Sequence, residues 1–195
     1  KKIDLVAQVS AEVTDRDLSS HVLKLKESGA EAVIMLAMPV HAALILSETA
    51  KIGFKPQWAT SNTLCDSALM MQITKGSWAG VINSFFSELP DSNHPLMVKY
   101  RKWHKKLEPQ ERWGLFYYGG IGFAEPFVEG LRRAGRNLTR ETLVKALESL
   151  KDFKGIGPPV NYSPTERQGG KHVFFGKVRP DGSIERLTDW IKITK

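Results

Sequence analysis

Two side chains in this sequence could act as a nucleophile and its base: Cys65, in the segment SNTLC, and His41, in AMPVH. A thiolate beside an imidazole attacks esters and amides, but the imidazole must be oriented by a third group. No orienting carboxylate or nucleophile motif accompanies this pair. The alternative is that Cys65 is a small buried hydrophobe and His41 a residue at a helix start. GSWAG is not the G-x-S-x-G elbow, and neither H-E-x-x-H nor a P-loop lysine motif occurs. A single cysteine excludes a disulfide within the chain and any multi-cysteine metal site. No catalytic residue, metal or cofactor is therefore expected.

A second candidate is GLFYYGGIGFAEP, Gly114 to Pro126, with three consecutive aromatics ahead of three glycines. The glycines could cradle a phosphate. They follow a helix and an aromatic run instead of a strand, lack the third glycine of G-x-G-x-x-G, and have no acid after a second strand. Two readings remain open for Phe116, Tyr117 and Tyr118. Either all three belong to the core of a helix whose glycines allow close packing, or one or two of them wall a pocket. Pro126 must either begin a helix or kink one already under way.

The elements that position these residues can be read from patterning. Ile3 to Val9 alternate as a strand. In the next segment Thr14 can cap a helix with Asp17 three residues on; Leu18, Val22 and Leu25 share its face and Gly29 ends it. Ala32 to Leu36 form a continuous apolar run, as in a strand covered on both faces. A helix follows from about His41 to Ile52, burying Ile45, Thr49 and Ile52, then a strand at QWAT, a helix near Asp66 to Thr74 and a strand at GVINSFF. Strands recurring every 23 to 29 residues or so, with a helix in each gap, make the βαβ rhythm of a parallel, doubly wound sheet. Ligands of such sheets bind outside the carboxyl ends of the strands. Here those loops are SAEVT, AMPVH, SNTLC and SELPD, whose mostly neutral groups resemble a recognition surface more than a reaction centre.

After Leu89 the pattern changes to three helices near 95–107, 115–134 and 139–150, the last capped by Thr139 with Leu143, Leu147 and Leu150 as its stripe. In the first, Leu96, Tyr100, Trp103 and Leu107 are spaced as one buried stripe, leaving the cations on a solvated face. GIGPPVNYSP is a loop, and KHVFFGKV and IERLTDWIKI are strands joined by the Asp-Gly turn of RPDGS. The composition, 42% hydrophobic and 25% charged over 195 residues, fits one domain or two small lobes. A formal charge of +7 favours anionic surroundings but is modest for a nucleic-acid binder, and none is expected as a partner. No apolar run is long enough to span a membrane. Opening on KKIDLVAQVS, without an initiator Met or a signal peptide, the chain is expected to be processed or the interior of a longer one.

DRDLSSHVLKLKESGAEAVIML, AKIGFKPQW, FVEGLRRAGRNLTRETLVKALESLKDF, GPPVNYSPTERQGGKHVFFGKV and LTDW, in that order, resemble the second half of the leucine/isoleucine/valine-binding family. These are periplasmic, type I substrate-binding proteins of ABC importers. The resemblance implies a Venus-flytrap protein of two α/β lobes that captures a small molecule in the periplasm or outside the cell and delivers it to a membrane permease. A ligand-sensing domain of a receptor or regulator is the alternative role. It implies residues 1–93 as the second ligand-binding lobe, 94–180 as a helical segment and strands returning to the first lobe, and 181–195 as a C-terminal strand. Members run to about twice this length, so the helical section would lack the sheet it covers, and self-association or strand exchange is expected to bury it. The resemblance also assigns the candidate ligand contacts. Met38, flanked by Ala37 and Pro39, follows the second strand and Asn62 the third, and an aromatic of amino-acid binders aligns at or next to Phe116, which brings in Tyr117; His41, Ser61 and Thr63 join them as polar groups of the same strand-end loops. Those binders place a carboxylate where Asn62 stands. An amino-acid ammonium would be left without its anion there, so a neutral group or a carboxylate ligand is expected.

Overall fold

A computed structural model describes residues 4–193. By compactness the chain divides into two units, one of Lys1–Ser84 with Phe175–Leu187 and the other of Phe85–Phe174 with Thr188–Lys195.

The first unit is a mixed α/β arrangement on a parallel sheet. Strands β1 (Ala32–Met35), β2 (Gln57–Thr60) and β3 (Ile82–Phe85) follow one another as neighbours; β1 pairs in parallel with β2 and β2 with β3. Beyond β3 lies β4 (His172–Val178), which pairs antiparallel with β5 (Ile184–Arg186). The hairpin between them closes on Arg179 and Ser183, with Gly182 at φ 82, a backbone conformation that only glycine adopts without steric cost. Helix α1 (Ser19–Glu27) precedes β1, while α2 (Pro39–Lys51) and α3 (Ser67–Ile73) lie in the connections after β1 and β2. Pro39 starts α2, where its missing N–H costs nothing, and the Asp66 carboxylate caps α3 by accepting from the Leu69 N–H.

The core of this unit gathers Met35, Trp58 and Val81 from the strand segments with Ala42, Leu46 and Met70 from α2 and α3, around the fully buried Trp78. Each large side chain fully withdrawn from water contributes about 2 kcal/mol.

Several local expectations are corrected. Residues 4–9 form no strand, and Ile3 lies outside the described residues. Alternation gives a segment the right faces, but a strand exists only through a ladder, and β1 pairs directly with β2. β1 is covered on one face only: Met35 is buried while Ile34 and Leu36 stand 77% and 78% exposed. Thr14 does not cap α1, which begins five residues later with no side-chain cap; Asp17 instead accepts from the Ser19 N–H. In α2, Ala42 and Leu46 are buried, with Thr49, while Ile45 and Ile52 are only partly so.

The second unit is built on α4 (Pro95–Leu107), α5 (Leu115–Ala134) and α6 (Arg140–Glu148). The side chains of Thr139 and Thr142 cap α6 reciprocally. α5 continues through Pro126, which leaves the Gly122 carbonyl without its usual intrahelical donor. α4 buries Met97 and His104, whereas Trp103 is 48% and Leu107 68% exposed. The expected stripe is therefore displaced around the helix, because 97 and 104 share a face just as 96, 100, 103 and 107 do, and packing selects between them. Phe85 stacks on Phe174 at 5.1 Å, with Trp190 edge-on to Phe174 at 5.0 Å. The last expected strand is broken into β5 in the first unit and β6 (Ile191–Lys192), which pairs with His172 and Val173 in the second.

Candidate functional site

Because β1 and β2 run in parallel with Met35 opposite Thr60, the loops that follow them emerge at the same end of the sheet. The Thr60 hydroxyl donates to the Met35 carbonyl at 2.8 Å, fixing the two strand ends to each other. Met38 precedes α2 in extended backbone and is 59% exposed, next to the half-buried Pro39. Ser61 and Thr63 share a hydroxyl hydrogen bond at 2.9 Å across the short 3-10 turn Asn62–Leu64. Asn62 is exposed, and its side-chain amide makes no hydrogen bond to a described residue. Its backbone carbonyl is occupied, accepting from the Cys65 thiol at 2.9 Å.

Cys65 and His41 share no hydrogen bond: the thiol donates to the Asn62 carbonyl. Cys65 is 2% exposed, and burial, reinforced by the neighbouring Asp66 charge, pushes its thiol well above the ordinary cysteine range. His41 sits in the first turn of α2 facing inward, 8% exposed, its Nε2 without a hydrogen-bond partner among the described residues. It belongs to the wall behind the loop, not to the loop's surface. Among the described residues no three His, Cys, Asp or Glu side chains converge on a metal position.

In the second unit, Gly114 precedes α5 and its first turn presents Phe116, 61% exposed. Tyr117 is half-buried, edge-on to the His104 ring at 4.7 Å and 5.9 Å from the Trp113 ring, while Tyr118 is core at 1% exposure. The glycines give clearance. A Cβ on Gly119 would lie 3.3 Å from the Phe86 ring and one on Gly122 3.1 Å from Ile156, whereas Gly120 faces open space.

Sequence reasoning missed Phe123 and Phe127, 69% and 48% exposed, which continue the Phe116 face at i+7 and i+11. That spacing was the available signal. It also missed what holds the SELPD loop: the Pro90 carbonyl accepts from Arg101 and from the Trp113 indole, both at 2.9 Å.

Loops at the carboxyl end of a parallel sheet are where α/β proteins of this kind hold small molecules. Comparison with known proteins makes this specific. The family model described as periplasmic binding protein matches residues 1–183, and the chain belongs to that family. The chain is 27% identical over 152 residues to Leu/Ile/Val-binding protein homolog 1 of Brucella abortus (strain 2308), an alignment covering 77% of this chain and 39% of that protein. A branched-chain amino acid ABC transporter structure from Thermus thermophilus with bound valine superposes with a TM-score of 0.81 at 17% identity, covering 91% of this chain and 50% of that one. A fatty acid ABC transporter substrate-binding protein from Thermomonospora curvata superposes with a TM-score of 0.74 at 23% identity, covering 92% and 48%. The chain thus spans about half the length of these structures, or less of the curated relative. Among the described residues no helix is long and apolar enough to cross a membrane.

Proposed function

We propose that this chain is part of a periplasmic solute-binding protein that captures a small carboxylate, aromatic or aliphatic, for an ABC importer and its membrane permease. One observation carries the choice of ligand. The loops after β1 and β2 expose Met38, Asn62 and Thr63 and no charged side chain, since Asp66, the acid that follows, is buried and caps α3. An ammonium brought to these loops finds no anion, and desolvating it unpaired costs several kcal/mol, about 3–5 by the measure of broken buried pairs. The Asn62 amide can donate to a carboxylate or accept from a neutral group. In the second unit, Phe116 and Tyr117 offer exposed and half-buried ring surface of their own. Among the proteins this chain resembles, the fold serves both valine and fatty acids, so the ligand is decided by side chains.

A thermal-shift series on the full-length protein tests this, because a ligand raises stability in proportion to ln(1 + [L]/Kd). Aromatic or aliphatic carboxylates are expected to give the largest shifts, and Asn62→Asp is expected to reverse the order in favour of zwitterionic amino acids. Largest shifts from branched-chain amino acids with Asn62 intact would refute the assignment.

A further inference from the structure

Helix α4 carries Lys99, Arg101, Lys102, Lys105 and Lys106 and no acidic residue; the acids resume at Glu108, past its end. Arg101 is engaged, donating to the Pro90 and Ser92 carbonyls. The four lysines make no ion pair with a described residue, and all are exposed. At the roughly 100° per residue of a helix they occupy a single arc opposite the buried Met97 and His104. Val98, 47% exposed, falls within that arc, and Trp103, 48% exposed, borders it with the Lys99 ammonium 4.4 Å above its ring; Leu107, 68% exposed, lies further round, between Trp103 and the buried face. A merely solvated face would carry the charges without the ring and the two aliphatic side chains. An acidic protein surface would match the charges and leave the ring and aliphatics unused.

We propose that α4 docks the protein on an anionic lipid surface, with the lysine ammonium groups among the headgroup phosphates and Trp103 and Leu107 at the level where headgroups meet acyl chains. Lysine stems reach past apolar surface to hold their charge in the polar layer, and indole rings favour that same boundary. The charge complementarity is one-sided along the whole helix, which fits an extended anionic plane better than a single phosphate.

The purified 195-residue chain is to be sedimented with vesicles of phosphatidylcholine alone or with one-quarter phosphatidylglycerol, while Trp emission is followed. Binding is expected only to the anionic vesicles, weakened at least about 10-fold between 0.1 and 0.5 M salt, as counter-ion screening requires. The K102Q/K105Q/K106Q variant, altered only at exposed positions and checked for an unchanged melting temperature, should need at least about 10-fold more lipid for half-binding. The blue shift on binding should vanish in Trp103→Phe. Equal binding to neutral vesicles, or an unaffected triple variant, would overturn the proposal. So would soluble polyglutamate competing as well as anionic vesicles with no shift in emission, an outcome that would assign the face to an acidic protein.

Discussion

Tyr100 and Glu125 show how single residues set the limits of this protein. The Tyr100 hydroxyl donates to Glu125 Oε1 at 2.7 Å, and the other carboxylate oxygen accepts from the Ile156 N–H at 2.8 Å. One carboxylate thus ties α4, α5 and the loop before Pro158 within the second unit. Burial first, and then the hydrogen bond and charge of Glu125, raise the Tyr100 hydroxyl well above its ordinary value of 10.0. The folded form therefore holds its proton more tightly than the unfolded chain. Stability from this contact is complete below pH about 10 and is lost as pH climbs through the folded value, because the unfolded chain gives up its proton first. Urea midpoints measured from pH 8 to 11 should fall at the alkaline end, and Tyr100→Phe should flatten that fall while lowering the midpoint at pH 8. Neither partner was legible in the sequence: they are 25 residues apart, and nothing in the spacing of Tyr100 marks it as other than a stripe residue. Asn62 was legible as a loop residue after a strand, because the recurring strand–helix rhythm places a strand at QWAT just before it. The inward turn of His41 was not, since a helix start gives a residue's position but not which side the core will occupy.

End chemistry located α6 and the Gly182 hairpin but not α1, and the strand rhythm located β1, β2 and β3 but gave a strand at 4–9 that does not form. Thr139 is the clearest success, its hydroxyl accepting from the Thr142 N–H at 3.1 Å while Thr142 returns the contact. Thr139→Ala is expected to cost about 1 kcal/mol, read as a lower urea midpoint with an unchanged slope. An unchanged midpoint would mean that packing of α6 on α5 sets its stability alone. The hairpin at Gly182 was likewise carried by local turn chemistry. By contrast, the segment 4–9 has a strand's composition without a strand's partner, and the stripe of α4 has two equally spaced solutions of which packing chose the less apolar. Local sequence selects the kind of element; the neighbours select whether it pairs and which face it buries.

For the molecule as a whole, the parallel α/β organisation and the family were legible because ordered phrases extend along nearly the entire chain, whereas the uncovered face of β1 was not. Among the described residues β1 ends the strand order, pairing with β2 alone, and Ile34 and Leu36 are exposed on and just after it. Open edges of this kind recruit further strands. Light scattering at increasing concentration is expected to show dimers or larger species, and Ile34→Lys should return the chain to monomer. A monomer at every concentration would contradict this. The same structure makes the protein amenable to chemical reporting. Cys65 is the sole cysteine, and its thiol is both buried and held protonated. A cysteine introduced at Val40, exposed beside the β1 loop and not a proposed ligand contact, would consequently be the only thiol that a maleimide dye reaches in the folded chain. A fluorophore can thus be placed there without first removing the native cysteine, turning occupancy of the loops into an optical signal.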